Sequence, residues 1–372
     1  MIWIIILALL LVAAIVGLIY LDNRICHFFL IQKAANGNKK LMIVLSALVI
    51  ILITVVTALL LNIMNAIICL LHLVAFWLLS DLIMWIITKV RKKPFRYYYA
   101  GIIAIVTTVV YLSVGWYLAH HVWMTTYALN TDKEVGSLRV VQFADSHVGA
   151  TFDGKDLQKY IDEMQALNPD VVVITGDYVD DDTSKEDMIA ACEALGTLKT
   201  TYGVYYSFGN HDKGYYGPEF RGYNGDDLIA ELEKNGVTVL QDESVLIDNR
   251  FYLIGRQDRS ETERGESRAS MKELVEPLDS SKYMIVLDHQ PHDYQNQADA
   301  GVDLVLSGHT HGGQLLPFNY VGEWTGENDM TYGLRSKDHT NYIVTSGISD
   351  WAIKFKTGCK SEYVVVDVKE NN

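Results

Sequence analysis

The chain is 372 residues long and half apolar, enough to bury more than one core. Nine Lys/Arg against Asp22 and Asp81 give residues 1–121 a net charge of +7 within a total of −14, so the remainder carries −21. That balance excludes a nucleic-acid-binding surface on the C-terminal part, because phosphate backbones select basic faces; a phosphorylated substrate remains admissible if bound cations supply positive charge locally.

In chain order, the uncharged runs Ile2–Leu21, Leu41–Leu61 and Tyr98–Tyr117, with Ile63–Ile87 containing only Asp81, are each long enough to cross a bilayer as a helix. The first run lacks a basic leader and is too long for a cleaved signal peptide. Arg24, Lys33, Lys39 and Lys40 lie between the first and second runs, and Lys89, Arg91, Lys92, Lys93 and Arg96 between the third and fourth. Basic loops stay in the cytoplasm. The expectation is a transmembrane region of four helices over residues 1–121, multi-pass in the cell membrane, with everything after His121 outside the cytoplasm. An ionisable residue inside such a segment invites a functional reading; for Asp81 the simpler expectation is an ion pair with Lys89 or Arg91. Residues 122–136, polar after Ala128, read as a linker.

From Ser137 the texture changes. The runs "LRVVQFAD", "DVVVITGD", "GVYYSFGN", "KYMIVLDH" and "VDLVLSGH" are short, β-rich, and each ends in a residue able to bind a metal. Helical patterns at Leu157–Leu167, Lys185–Leu198 and Leu228–Asn235 alternate with them, which predicts an α/β domain over residues 137–372 with a substantial sheet. Functional groups of such sheets gather beyond the carboxyl ends of the strands. Those ends carry Asp145 and His147, Asp177 and Asp180, Asn210 and His211, His289, then His309 and His311. Seven histidines follow residue 121, and five of them stand at strand ends; scattered placement would not do this. Residues i and i+2 of an extended chain face the same way, so His309 and His311 aim at one point. Carboxylate, imidazole and amide oxygen together suit Mn, Fe or Zn, and two ions about 3.5–4 Å apart need a shared bridging ligand. Asp181, Asp182 and Asp212 read as loop or supporting carboxylates, and the polar stretch 322–341 as a long loop bordering the cleft. Four cysteines, Cys26, Cys69, Cys192 and Cys359, are too scattered for a disulfide framework; Cys192 and Cys359 pair only if the fold joins them.

"DSH" (145–147), "GDYVD" (176–180), "GNHD" (209–212), His289 and "GHTH" (308–311) resemble, in order, the five blocks of the calcineurin-like metallophosphoesterase superfamily. "GHTHGGQ" and the later "SGISDW" resemble its membrane-associated bacterial branch, from which the chain departs at Phe355-Lys356, where a Pro-x-Arg element is common. The resemblance spans roughly residues 137–369. It implies a four-layer α/β/β/α sandwich and two divalent metal ions: one held by Asp145, His147, Asp177 and His311, the other by Asp177, Asn210, His289 and His309. It further implies metal-bridged hydroxide attack on phosphorus, with His211 protonating the leaving group and Asp180 orienting His211. The expected activity is a metal-dependent phosphoesterase acting on phosphomonoesters or phosphodiesters, a lipid or cell-envelope component being favoured because the anchor holds the site near a bilayer. Two alternatives stand beside it: a pyrophosphatase of a nucleotide-linked lipid intermediate, which needs a cytoplasmic domain, and a non-catalytic membrane sensor or scaffold, which predicts broken ligand positions.

Overall fold

The computed structural model describes residues 2–371, and side chains from Val12 onward. The chain divides into two units, residues 1–115 with 352–354, and residues 116–351 with 355–372.

The first unit is helical: α1 (Ile2–Ile25), the short α2 (Phe29–Ala34), α3 (Lys39–Leu60), α4 (Ile63–Arg91) and α5 (Tyr99–His120), whose last turn and a half belongs to the second unit. Helices α3, α4 and α5 are long and apolar enough to cross a membrane. The expected first crossing, Ile2–Leu21, falls in part on side chains outside the described residues. Apolar residues such as Ile43, Val44, Leu48, Ile51 and Leu52 point outward as well as inward, the pattern of a helix whose solvent is not water. Polar groups inside the bundle are satisfied locally: the Trp77 indole donates to Tyr98 Oη at 2.9 Å. Asp81 does not pair with Lys89 or Arg91. It accepts from Tyr20 Oη at 2.6 Å and faces Arg24 Nε at 2.7 Å, so the ion pair ties α1 to α4. The sequence neighbours lie along the same helix, whereas Arg24 is delivered by tertiary packing.

The second unit is built on two six-stranded mixed sheets. The first contains β1 (Val122–Thr131), β2 (Ser137–Phe143), β3 (Val171–Thr175), β4 (Val204–Ser207) and β5 (Val237–Val239). The second contains β6 (Glu243–Ile247), β7 (Phe251–Gly255), β8 (Tyr283–Leu287), β9 (Leu304–Ser307), β10 (Gly333–Lys337) and β11 (Thr340–Val344). The last strand, β12 (Ser361–Glu370), returns to the first sheet, and the spatial orders are β1-β12-β2-β3-β4-β5 and β10-β11-β9-β8-β7-β6. The strands β2, β3 and β4 are mutually parallel, as are β7, β8 and β9, so their carboxyl ends emerge together within each sheet.

Alternation along each strand builds the layers. Leu138, Val140, Val171 and Val173 meet Leu253, Ile285, Leu304 and Ile343 in a core between the sheets. The intervening Val141, Phe143, Val172 and Ile174 pack on the other side against helices α6 (Leu157–Gln165), α7 (Lys185–Leu195) and, after the single turn α8 (Pro218–Arg221), α9 (Gly225–Lys234). A third core lies between the outer face of the second sheet and the short helices α11 (Met271–Val275) and α12 (Tyr294–Asp299), α10 (Ser260–Glu263) lying between strands β7 and β8 in sequence. The three helices over the first sheet start within a few residues of their sequence positions. Ser184 caps α7 by accepting from Asp187 N, and Asn224 with Asp227 forms a capping box on α9.

Two stretches differ from expectation. Residues 122–131 are not linker but strand β1, paired in parallel with all of β12 from Val122↔Ser361 to Thr131↔Glu370. As an edge strand it fully buries only Val122 and Leu129, and its exposed positions, among them Thr126 and Asn130, mimic a linker. The polar stretch 322–341 is likewise ordered, holding α13 (Val321–Thr325) and the β10–β11 hairpin. Cys192 and Cys359 are buried but unpaired; Cys192 lies on the core-facing side of α7 and Cys359 Sγ contacts the His311 carbonyl at 3.1 Å.

Candidate metal centre

Each strand that ends in a candidate ligand turns sharply just beyond its last ladder bond. Asp145 (φ +53°), His147 (+36°), Asp177 (+50°), His309 (+72°) and His311 (+48°) all take left-handed backbone, which side chains with a Cβ normally avoid. Such conformations persist only where the surroundings over-determine them, and they collect at functional sites. Gly176 and Gly209 permit the crowding: a Cβ on Gly209 would lie 2.2 Å from Asp177 Oδ1, and one on Gly176 2.4 Å from Gly209 N.

The turns bring the sheets' ligands together in two groups. Ligand atoms of Asp145, His147 and His311 lie within 4.8 Å of one another, as do those of Asp177, His289 and His309. Each group draws on both sheets. Asp177 lies between them, its Oδ2 3.8 Å from His147 Nε2 and 3.1 Å from His289 Nε2. The second contact lacks hydrogen-bond alignment, and His147 Nε2, His289 Nε2, His311 Nδ1 and Asn210 Oδ1 are all buried with no hydrogen-bond partner. Four orphaned acceptors or donors in one pocket are a severe cost in a folded protein unless a cation satisfies them. The donor set therefore fits a pair of divalent ions with Asp177 shared.

The opposite edges of the imidazoles are held. His289 Nδ1 lies 2.7 Å from the Thr175 carbonyl and His147 Nδ1 3.2 Å from Asp180 Oδ2, which fixes each ring with Nε2 inward in the manner of metal-binding histidines. Asp180 thus supports His147; it was expected to orient His211. The 180–183 turn is closed by Thr183 Oγ1 accepting from Asp180 N, and the Asp180 charge also favours a protonated His211. The His309 N–H donates to both oxygens of Asp145 at 2.9 and 3.1 Å. His211 stands beside the first group, its ring 5.1 Å from that of His147 and its N–H donating to Asp177 Oδ1 at 2.9 Å.

Burial dominates the electrostatics. It pushes the Asp145 carboxyl up to about 6 and His309 down to about 4, and it lowers His211 and, further, His311. Burial also opposes charge on Asp177 and His289, yet their mutual attraction wins, holding Asp177 well below and His289 well above its ordinary value. A divalent cation held by these groups would take the place of the proton on His289.

Of the residues around the ligands, Asp212 takes the supporting role open to it from the sequence, and Lys356 was not identified from sequence. Asp212, wholly buried, accepts from the N–H groups of Asp177 (2.9 Å), Tyr178 (2.8 Å), Val179 (3.1 Å) and Gly209 (2.6 Å), clamping the turn that carries Asp177 to the one that carries Asn210. Asn210 Nδ2 donates to Tyr215 Oη at 2.9 Å, and Oδ1 is buried without a hydrogen-bond partner, available to a metal. Lys356 is fully buried and donates to the Ser346 and Ser349 carbonyls at 2.8 and 2.9 Å and to Ser361 Oγ at 3.0 Å. It braces a turn whose Gly347 packs against Asp145. One lysine in a polar tail carries no local mark of such a role.

The calcineurin-like phosphoesterase family model matches residues 138–313. An uncharacterized metallophosphoesterase of Helicobacter pylori (strain J99) is 30% identical over 278 residues, covering 70% of this chain and 71% of that protein. One from Campylobacter jejuni is 29% identical over 238 residues, covering 62% and 59%. A transmembrane protein with metallophosphoesterase domain from Danio rerio is 30% identical over 250 residues, covering 64% and 54%. The matched region thus spans less than two thirds of the latter two proteins. Two ligand groups joined at one aspartate, on sheets ordered as above, and a match of this extent lead to one conclusion: the chain belongs to the calcineurin-like metallophosphoesterase family.

Proposed function

We propose that the protein is a membrane-anchored, dinuclear-metal phosphoesterase of four transmembrane helices whose catalytic domain lies outside the cytoplasm and whose substrate is a phosphomonoester or phosphodiester of a lipid or envelope component. The observation that carries this reading is the set of orphaned, inward-facing ligand atoms around Asp177. Asp145, His147 and His311 would hold one ion, Asn210, His289 and His309 the other, with Asp177 shared; the donor mixture suits Mn, Fe or Zn. When bound, the ions supply a nucleophile from water at neutral pH and offset charge on the phosphoryl oxygens. The chain's own part is positional. Asp180 and the Thr175 carbonyl hold the imidazoles, Asp212 holds the Asp177 turn, and His211 stands where it can pass a proton to the departing oxygen. The membrane assignment rests on the apolar helices, the outward orientation on the two basic loops.

The test uses the purified full chain, stripped of metal and resupplied with Mn, Zn, Fe, Mg or Ca, against chromogenic phosphomonoesters and diesters. Two ions per chain and metal-dependent turnover are expected, and Asp177→Asn is expected to lose both. A variant that keeps two ions and a near wild-type rate sinks the shared-aspartate centre.

A further inference from the structure

Aromatic side chains are clustered beside His211. The His211 ring lies 5.1 Å from the Tyr215 ring and 5.2 Å from the Trp351 ring, and Tyr216 and Phe220 follow at a ring separation of 5.2 Å from each other. All four are largely uncovered: Tyr215 is 58% exposed, Tyr216 66%, Phe220 60% and Trp351 47%. Single exposed aromatics are ordinary, but two flanking His211, with Tyr216 next in the chain and Phe220 packed on Tyr216, form an apolar surface that water wets at a cost. The cluster is also held in shape. Asp181 accepts from Tyr215 N at 3.0 Å and from Tyr216 N at 3.1 Å, and the Tyr215 hydroxyl is turned toward Asn210, which leaves ring carbon facing outward.

We propose that Tyr215, Tyr216, Phe220 and Trp351 form a shelf beside His211 that binds the apolar chain of the substrate's leaving alcohol, so that the enzyme selects phosphate esters of long-chain alcohols. This rests on the phosphoesterase reading above and deepens it. A group that protonates the departing oxygen must lie within hydrogen-bond reach of it, so the first carbons of the alcohol fall within a few ångströms of His211, at the inner edge of the shelf. The occupant is an alkyl or acyl chain because the rings offer carbon surface, and because a chain with membrane-length helices works where such esters are at hand. A fully buried methylene contributes about fourfold in binding, at ~0.8 kcal/mol.

The test uses the full chain, metal-loaded in detergent, with n-alkyl phosphates of two to eight carbons, supplied both as monoesters and as methyl diesters below their critical micelle concentrations. The n-alkylphosphonates of the same lengths, which cannot be hydrolysed, report binding by calorimetry. The expected result is that kcat/KM and phosphonate affinity both rise by tenfold or more from ethyl to octyl, at ~fourfold per buried methylene over part of the chain. Trp351→Ala and Phe220→Ser flatten both series, whereas Trp324→Ser, at a still more exposed residue on α13, leaves the slope in place. Flat series in the wild type overturn the shelf even if every ester is hydrolysed, and point to rings that dip into a bilayer. A phosphonate slope without turnover of any ester keeps the shelf and overturns the phosphoesterase reading.

Discussion

Asp212→Asn isolates what the buried carboxylate behind the metal centre does. Oδ2 accepts from Asp177 N and Gly209 N, and Oδ1 from Tyr178 N and Val179 N. Whichever oxygen becomes the amide nitrogen, two N–H groups lose their acceptor and face another donor. An orphaned buried N–H costs about 1–3 kcal/mol, so the pair comes to about 2–6 kcal/mol; single substitutions rarely exceed about 4–5 kcal/mol, which places the expectation near ~3 kcal/mol. Part of this will appear as a loosened 176–179 turn. Because that turn carries Asp177, metal affinity should fall by about 10–100-fold, the usual effect of losing a group that orients a ligand. Two assays read the two effects. Amide hydrogen exchange of the full chain should show faster exchange at Tyr178 and Val179, and calorimetric metal titration should show the weaker binding. The exposed Asp226→Asn serves as control and is expected to stay within about 0.5 kcal/mol. Unchanged exchange together with unchanged metal affinity in Asp212→Asn would refute the clamp.

Asp180→Asn should weaken metal binding by about 10–100-fold through His147 while leaving the dependence on leaving-group pKa as in the wild type; a changed leaving-group slope with intact metal content would restore Asp180 as the partner of His211. His211→Ala should keep both ions and slow alkyl esters by ~10²–10⁴-fold, with activated aryl esters much less affected, and a rate ratio that is flat across leaving groups would remove the proton-donor role. A reporter fused after Asn372 should be active only if it functions outside the cytoplasm, given nine basic residues in the two loops assigned to the inside; a cytoplasmic signal would reverse the topology and favour the nucleotide-linked substrate. Arg24→Ala should leave Asp81 unpaired and destabilise the helical unit, and the swap Arg24→Asp with Asp81→Arg should recover part of the loss; a melting temperature unmoved by the single change would show that the pair contributes nothing.

The sequence alone determined those features that depend on local spacing. Period-two strands ending in Asp145, Asp177, Asn210, His289 and His309 mark the edge where ligands gather, because parallel strands deliver their carboxyl ends to one side. Charge-free runs of membrane length mark the helices for an equally local reason. Tertiary structure alone decided which partners meet. Asp180 could have faced His147 or His211, and only folding sets it against His147; Asp81 had two basic neighbours on its own helix, and the packing of α1 supplied Arg24 instead. The strand β1 was hidden because an edge strand shares its exposed polar positions with a linker, and its identity lies in β12, some 240 residues away. Lys356 was unreadable, and Asp212 readable only as one of three candidate supporting carboxylates, for the same reason: their importance lies in backbone N–H and carbonyl groups, which every residue carries and which only folding brings to bear on one side chain.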